Sequence, residues 1–162
     1  MSAVRPVRRG CSLRVMSYDI LAFDPDSVTN ADFPAWWDQQ STWSENHSYD
    51  DAAVTTPPLR EFYNELIQTF PPMNGPDSPT SAEIDEDSDA ESRLTDYTIG
   101  TKVVYGAFAW SQDSQARSLF TSLASKHGVA VALVSDGGEI LRPSVPGADK
   151  SARPARKRFW RR

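Results

Sequence analysis

"VVYGAFAWSQDSQARSLFTSLASKHGVAVALVSDGGEILR", residues 103–142, passes from alternating side chains to a helical period and back to alternation within forty positions. Over 97–110, Val103, Tyr105, Ala107 and Ala109 alternate with Lys102, Val104, Gly106 and Phe108. Both sets lean apolar, which predicts one strand covered on two faces in the middle of a sheet. Ser111 is placed to cap a helix carrying Ala116, Leu119, Phe120, Leu123 and Ala124 on one face. That run closes on Lys126-His127-Gly128, with cations in the last turn and a glycine able to adopt the left-handed C-cap. A strand over 129–134 follows, and Asp136-Gly137-Gly138 turns it into a short partner over 139–142. Strand, helix and strand in succession predict a right-handed parallel crossover, and the closing hairpin adds an antiparallel strand, so the sheet is expected to be mixed.

Upstream, Tyr18, Ile20 and Ala22 alternate with Asp19, Leu21 and Phe23 until Asp24-Pro25-Asp26 stops the run, which reads as the first strand. Thr29 or Asn30 can cap a helix that tolerates Pro34 near its first turn, and Phe33, Trp36, Trp37 and Gln40 recur on one face of it. An aromatic stripe at this spacing predicts a core face. Adjacent residues on a helix point about 100° apart, so Phe33 and one of the two tryptophans are expected inside while the other flanks the stripe. Trp43, His47 and Tyr49 fall in a polar stretch that reads as loop.

The next helix has clear punctuation. Thr56 stands at its N-cap and Pro57 at its first position, Leu59, Phe62, Tyr63, Leu66, Ile67 and Phe70 share a face, and Pro71-Pro72 ends it. "PPMNGP", 71–76, is a stop-and-turn segment that presents Met73 and Asn74. Residues 77–92 are acidic and nearly without large apolar side chains, so they are expected to form a disordered surface loop. The expected architecture is α/β (α+β): one small mixed sheet of about four strands, elements in the order β-α-α-β-α-β-β, with helices mainly on one face.

At 162 residues the chain suits one domain, expected over 16–146, with disordered basic segments at 1–15 and 147–162. Met16 offers a second start beside the first strand. Cys11 has no second cysteine with which to close a disulfide or a CxxC motif. Neither a membrane-spanning apolar run nor a secretory h-region is present, which points to a cytoplasmic protein. The formal net charge of -5 conceals a segregation. Residues 16–146 hold 6 Lys+Arg against 21 Asp+Glu, whereas 1–15 hold 4 Arg and 147–162 hold 7 Lys+Arg against Asp149. A body of charge -15 repels phosphates and suits a basic protein surface, while the tail alone has the composition to touch nucleic acid or acidic lipid.

The chemistry-bearing residues are sparse. His47 has Glu45, Asp50 and Asp51 nearby, which supports a reading as a small metal-dependent hydrolase using His47 with a carboxylate. Asp19, Asp24 and Asp96 flank strand ends but their spacing names no ligand set. Phosphate-binding GxGxxG and GxxxxGK[ST] patterns are absent, and no cofactor is implied. The aromatic and acidic residues Trp36, Trp37, Trp43, His47, Tyr49, Asp50 and Asp51, with Met73 and Asn74 on the proline-bounded turn, are better suited to holding a partner protein.

"MSYDILAFDP", "WWDQQSTWSENHSYDD", "FPPMNGP", "DYTIG", "VVYGAFAWS", "LASKHGVA" and "VSDGGEILRP" together resemble a family of small bacterial proteins that start MSYD and carry these blocks in this order, over about residues 16–143. The blocks bring no catalytic assignment with them. Small acidic proteins similar to this one are placed among the immunity proteins of bacterial toxin systems. The resemblance therefore implies a non-catalytic binding protein that neutralises a basic toxin by covering its cleft. A regulatory adaptor using the basic tail is the third reading.

Overall fold

The computed structural model describes residues 17–144. The basic arm with Cys11, the start at Met16 and the basic tail lie outside the described residues. The first strand, β1 (Ser17–Phe23), is followed by α1 (Phe33–Gln40), α2 (Pro57–Leu66), two short helices α3 (Ser81–Glu86) and α4 (Ala90–Arg93), strands β2 (Asp96–Ile99) and β3 (Val103–Ala109), helix α5 (Asp113–His127), and strands β4 (Ala130–Leu133) and β5 (Glu139–Leu141).

The five strands form one sheet in the order β2-β3-β1-β4-β5, and every neighbouring pair is antiparallel. This corrects the expected mixed sheet of about four strands in two respects. Residues 97–110 do not form one strand, because the chain reverses at Gly100: its N–H donates to the Val103 carbonyl at 2.9 Å and folds β2 back on β3. The crossover through α5 joins β3 and β4, which do run parallel to each other, but β1 lies between them and pairs antiparallel with both. The first of the described strands thus becomes the centre of the sheet.

Alternation along β1 sends side chains to two separate cores. Tyr18, Ile20 and Ala22 meet Val104 and Phe108 of β3, Leu59, Phe62, Tyr63 and Leu66 of α2, and Ala116, Phe120, Leu123 and Ala124 of α5. Leu21 and Phe23 point the other way, where Val103, Ala130, Ala132 and Phe33 complete a smaller cluster. Helices are therefore not confined to one face: α2 and α5 cover one side and α1, with the loop after it, covers the other. On the larger side, Phe120 sits edge-on to both Phe62 and Phe108, at 4.8 and 6.0 Å between ring centroids, an arrangement that favours one packing over many.

Local signals explain most element ends. Thr56 is the N-cap of α2 with Pro57 at its first position, and Gly128 closes α5 with φ +70°, its neighbour Val129 N–H reaching the Ala124 carbonyl at 3.0 Å. Ser111 does not cap α5. It lies in a 3-10 turn, Trp110–Gln112, that carries the chain off β3. The acidic segment 77–92 also differs from the expected disordered loop, because α3 and α4 occupy it. Thr80 and Glu83 form a reciprocal capping box that starts α3, and Asp87 pairs with Arg93 at the end of α4. Local hydrogen bonds supply here the order that burial does not, since neither helix has a buried residue.

Candidate functional site

The aromatic stretch after α1 is built onto the smaller face of the sheet. Phe33 is buried there, while Trp36 and Trp37 are both half-buried, so neither tryptophan alone takes the inner position expected of one of them. They diverge instead. Trp36 packs on Phe23 and Phe33 at 5.6 and 5.8 Å, whereas Trp37 stacks on Tyr105 of β3 at 5.8 Å with an interplanar angle of 18°. From Trp37 a chain of ring contacts continues to Trp43 (5.9 Å), to Tyr49 (5.5 Å) and to His47 (4.6 Å). Trp43 has φ +50°, a left-handed conformation that a large side chain avoids unless its surroundings impose it. Its contacts with Trp37, Tyr49 and Tyr105 supply that constraint.

Glu45 anchors the loop. Its carboxylate accepts the Thr101 N–H at 3.0 Å and the Thr101 hydroxyl at 2.8 Å, and it pairs with His47 Nε2. Its own N–H donates to the Tyr49 hydroxyl at 2.6 Å, and the Tyr49 carbonyl accepts the Ile99 N–H at 2.8 Å on the outer edge of β2. Gly100 suits the tight reversal, since a Cβ there would stand 2.9 Å from Val103 Cγ2. The stretch expected to be loop is thereby pinned to the β2-β3 turn.

His47 faces acceptors from both ring nitrogens. Nδ1 lies 2.7 Å from the Ser48 carbonyl and Nε2 lies against the Glu45 carboxylate. Both contacts are satisfied together only when both nitrogens carry hydrogen, so the arrangement favours the protonated ring. The Ser48 carbonyl, then the Glu45 carboxylate, raise its pKa above the ordinary histidine value. Burial works against Glu45 ionisation, but the hydrogen bonds from His47 and Thr101 outweigh it and hold the carboxyl below its usual range. Both ring nitrogens are thus engaged within the loop, and Asp51 is engaged elsewhere, accepting the Ala53 N–H at 2.8 Å. Among the described residues no three or more histidine, cysteine or acidic side chains converge as a metal set.

The remaining candidate residues gather at the far end of the same loop. A Cβ on Gly75, whose φ is +91°, would lie 2.8 Å from the Asp50 carbonyl, so the proline-bounded turn packs directly against Asp50. Backbone bonds between Met73 N–H and the Thr95 carbonyl (2.9 Å), and between Thr95 N–H and the Pro71 carbonyl (3.0 Å), fix that turn beside β2. Asn74 is exposed and Met73 is 52% exposed, the most of any large apolar side chain described. Burial, then the charges of Asp77, Asp50 and Asp51, push the Tyr63 phenol pKa up.

Eight of the nine residues singled out in the sequence, Trp37, Trp43, His47, Tyr49, Asp50, Asp51, Met73 and Asn74, thus follow one another along a band that runs from Tyr105 of β3 to the outer edge of β2. Trp36 does not belong to it. Glu45, Thr101 and Tyr105 hold the band in place. Glu45 was visible only as a neighbour of His47, and no local signal pointed to Thr101 or Tyr105, whose parts depend on the β2-β3 reversal. No family model, curated protein or solved structure matches the chain.

Proposed function

We propose that the chain is a non-catalytic, cytoplasmic protein-binding domain whose acidic face engages a basic partner through the band from Trp37 to Asn74. The observation that carries this reading is the junction of an immobilised aromatic row with an exposed Met73 and the Asp50, Asp51 and Asp77 carboxylates. An apolar anchor near charge of one sign suits an interface centre: the anchor supplies affinity, and the charge steers association with an oppositely charged surface. The residues described carry 6 Lys+Arg against 21 Asp+Glu, so the attraction extends beyond the band. Together with the resemblance to toxin-immunity proteins, the charge favours a basic toxin as the partner. The engagement of both His47 nitrogens weighs against the hydrolase reading.

The test is affinity capture of the full chain from a lysate of its own organism at low and high salt, with bound protein identified by mass spectrometry and remeasured as a purified pair. The expected result is a stoichiometric basic protein released by salt, whose dissociation constant rises roughly tenfold or more with Met73→Ala or Asp50→Asn while the melting temperature is kept. A purified pair indifferent to both substitutions refutes the band as the binding surface.

A further inference from the structure

An open groove of about 820 Å³, within the range of small-ligand sites, lies between the 25–30 loop, the outward side of α1 and Arg142. Trp36, excluded from the protein-binding band and half-buried against Phe23 and Phe33, is among the residues that line this groove. Arg142 defines the other wall. Its Nε–H donates to Asn30 Oδ1 at 2.6 Å, Nη1 to the Pro25 carbonyl at 2.6 Å and Nη2 to the Val28 carbonyl at 2.5 Å, and the guanidinium lies 5.6 Å from the Phe23 ring centroid.

All these partners are neutral. Among the described residues Arg142 forms no ion pair, although the Asp26 and Asp32 carboxylates line the same groove. Opposite charges are thus held apart across a common space. Ser27, also in the lining, has a buried hydroxyl without a hydrogen-bond partner among the described residues. Asn30 has its oxygen committed to Arg142 and its amide N–H groups left as donors, and Gln39 stands exposed one turn beyond Trp36. The groove therefore offers donors and acceptors together, beside an aromatic surface.

That mixture selects a ligand class. A dianion meets two carboxylates, and a polycation meets a fixed guanidinium. The Nε edge of Arg142 is occupied by Asn30, so the forked grip on a carboxylate through that edge is unavailable. A neutral ring with several hydroxyls suits both sets, because each hydroxyl donates and accepts, and its C–H face can lie against the indole. We propose that the groove formed by Trp36, Asp26, Asp32, Asn30, Gln39 and Arg142 binds a neutral saccharide.

The test uses the full chain and disaccharides built on glucose, galactose, mannose and N-acetylglucosamine, each titrated to about 50 mM while the indole N–H resonances are followed by NMR. At least one disaccharide is expected to give saturable shifts of the Trp36 signal, assigned through Trp36→Phe. Gln39→Ala and Asp26→Asn, both at exposed positions outside the core, should each weaken that binding about threefold or more without changing the melting temperature. Met73→Ala should leave it unaltered, which separates this site from the protein-binding band. The proposal is overturned by absence of saturable binding across the set, by binding indifferent to both groove substitutions, or by tighter saturable binding of inorganic phosphate or spermidine.

Discussion

His47 contributes to folding through its proton. Because its folded pKa is raised, the stability it contributes is fully present below the ordinary histidine value and is lost as pH rises through the raised value. The Glu45 contribution runs the other way: it is present above the ordinary carboxyl value and lost as pH falls through the lowered one. The loop is therefore held best between roughly pH 4.5 and 6.5, the ordinary values of the two groups. Urea titrations across pH should show His47→Ala destabilising the protein more at about pH 6 than at about pH 9. Equal losses at both would show that the ring acts by packing alone. Gly75 is constrained differently. Gly75→Ala introduces a Cβ 2.8 Å from the Asp50 carbonyl at a φ that disfavours side chains, and a loss of about 1–3 kcal/mol in the same assay is expected.

Among the elements, α2 and α5 together close the larger core. Truncating Phe120→Ala removes the ring between Phe62 and Phe108 at a position with 0% exposure, for an expected loss of about 3–5 kcal/mol in denaturant unfolding. A loss under about 1 kcal/mol would mean that α2 and α5 close over the vacancy. Elements with strong periodicity and punctuation were legible in the sequence: β1 and α5 lie close to where their patterns place them, and α2 starts at Pro57 as its punctuation predicts but ends at Leu66, before the Phe70 and Pro71-Pro72 expected to close it. The β2-β3 reversal was not, because Tyr97 to Trp110 keeps its alternation through Gly100 and a single glycine does not distinguish a hairpin from a bulge. The short helices α3 and α4 escaped for the opposite reason, as they bury nothing and so leave no apolar period. Of the site, residue types and the loop were readable; their joining into a band was not, since it rests on contacts from Glu45 to Thr101 and from Asp50 to Gly75, across 56 and 25 positions.

At the scale of the molecule, charge and topology set the behaviour. The 21 carboxylates of the described residues meet only 6 lysines and arginines, and several of those ion pairs are solvent-exposed. Self-repulsion then outweighs surface pairing, and added salt screens repulsion first. Raising sodium chloride from about 10 to 200 mM should lift the melting temperature measured by circular dichroism; a fall would show that the ion pairs dominate. The placement of β1 has a further effect, in time. Ser17 pairs with Ala109, and Phe23 pairs with both Val103 and Ala130, so the central strand has no partner until most of the chain has been synthesised. Pairing over such separations makes folding slow relative to local helix formation. On the ribosome the first hundred residues must wait with an apolar strand unpaired, and chaperone occupancy of arrested nascent chains should persist until β3 and β4 emerge.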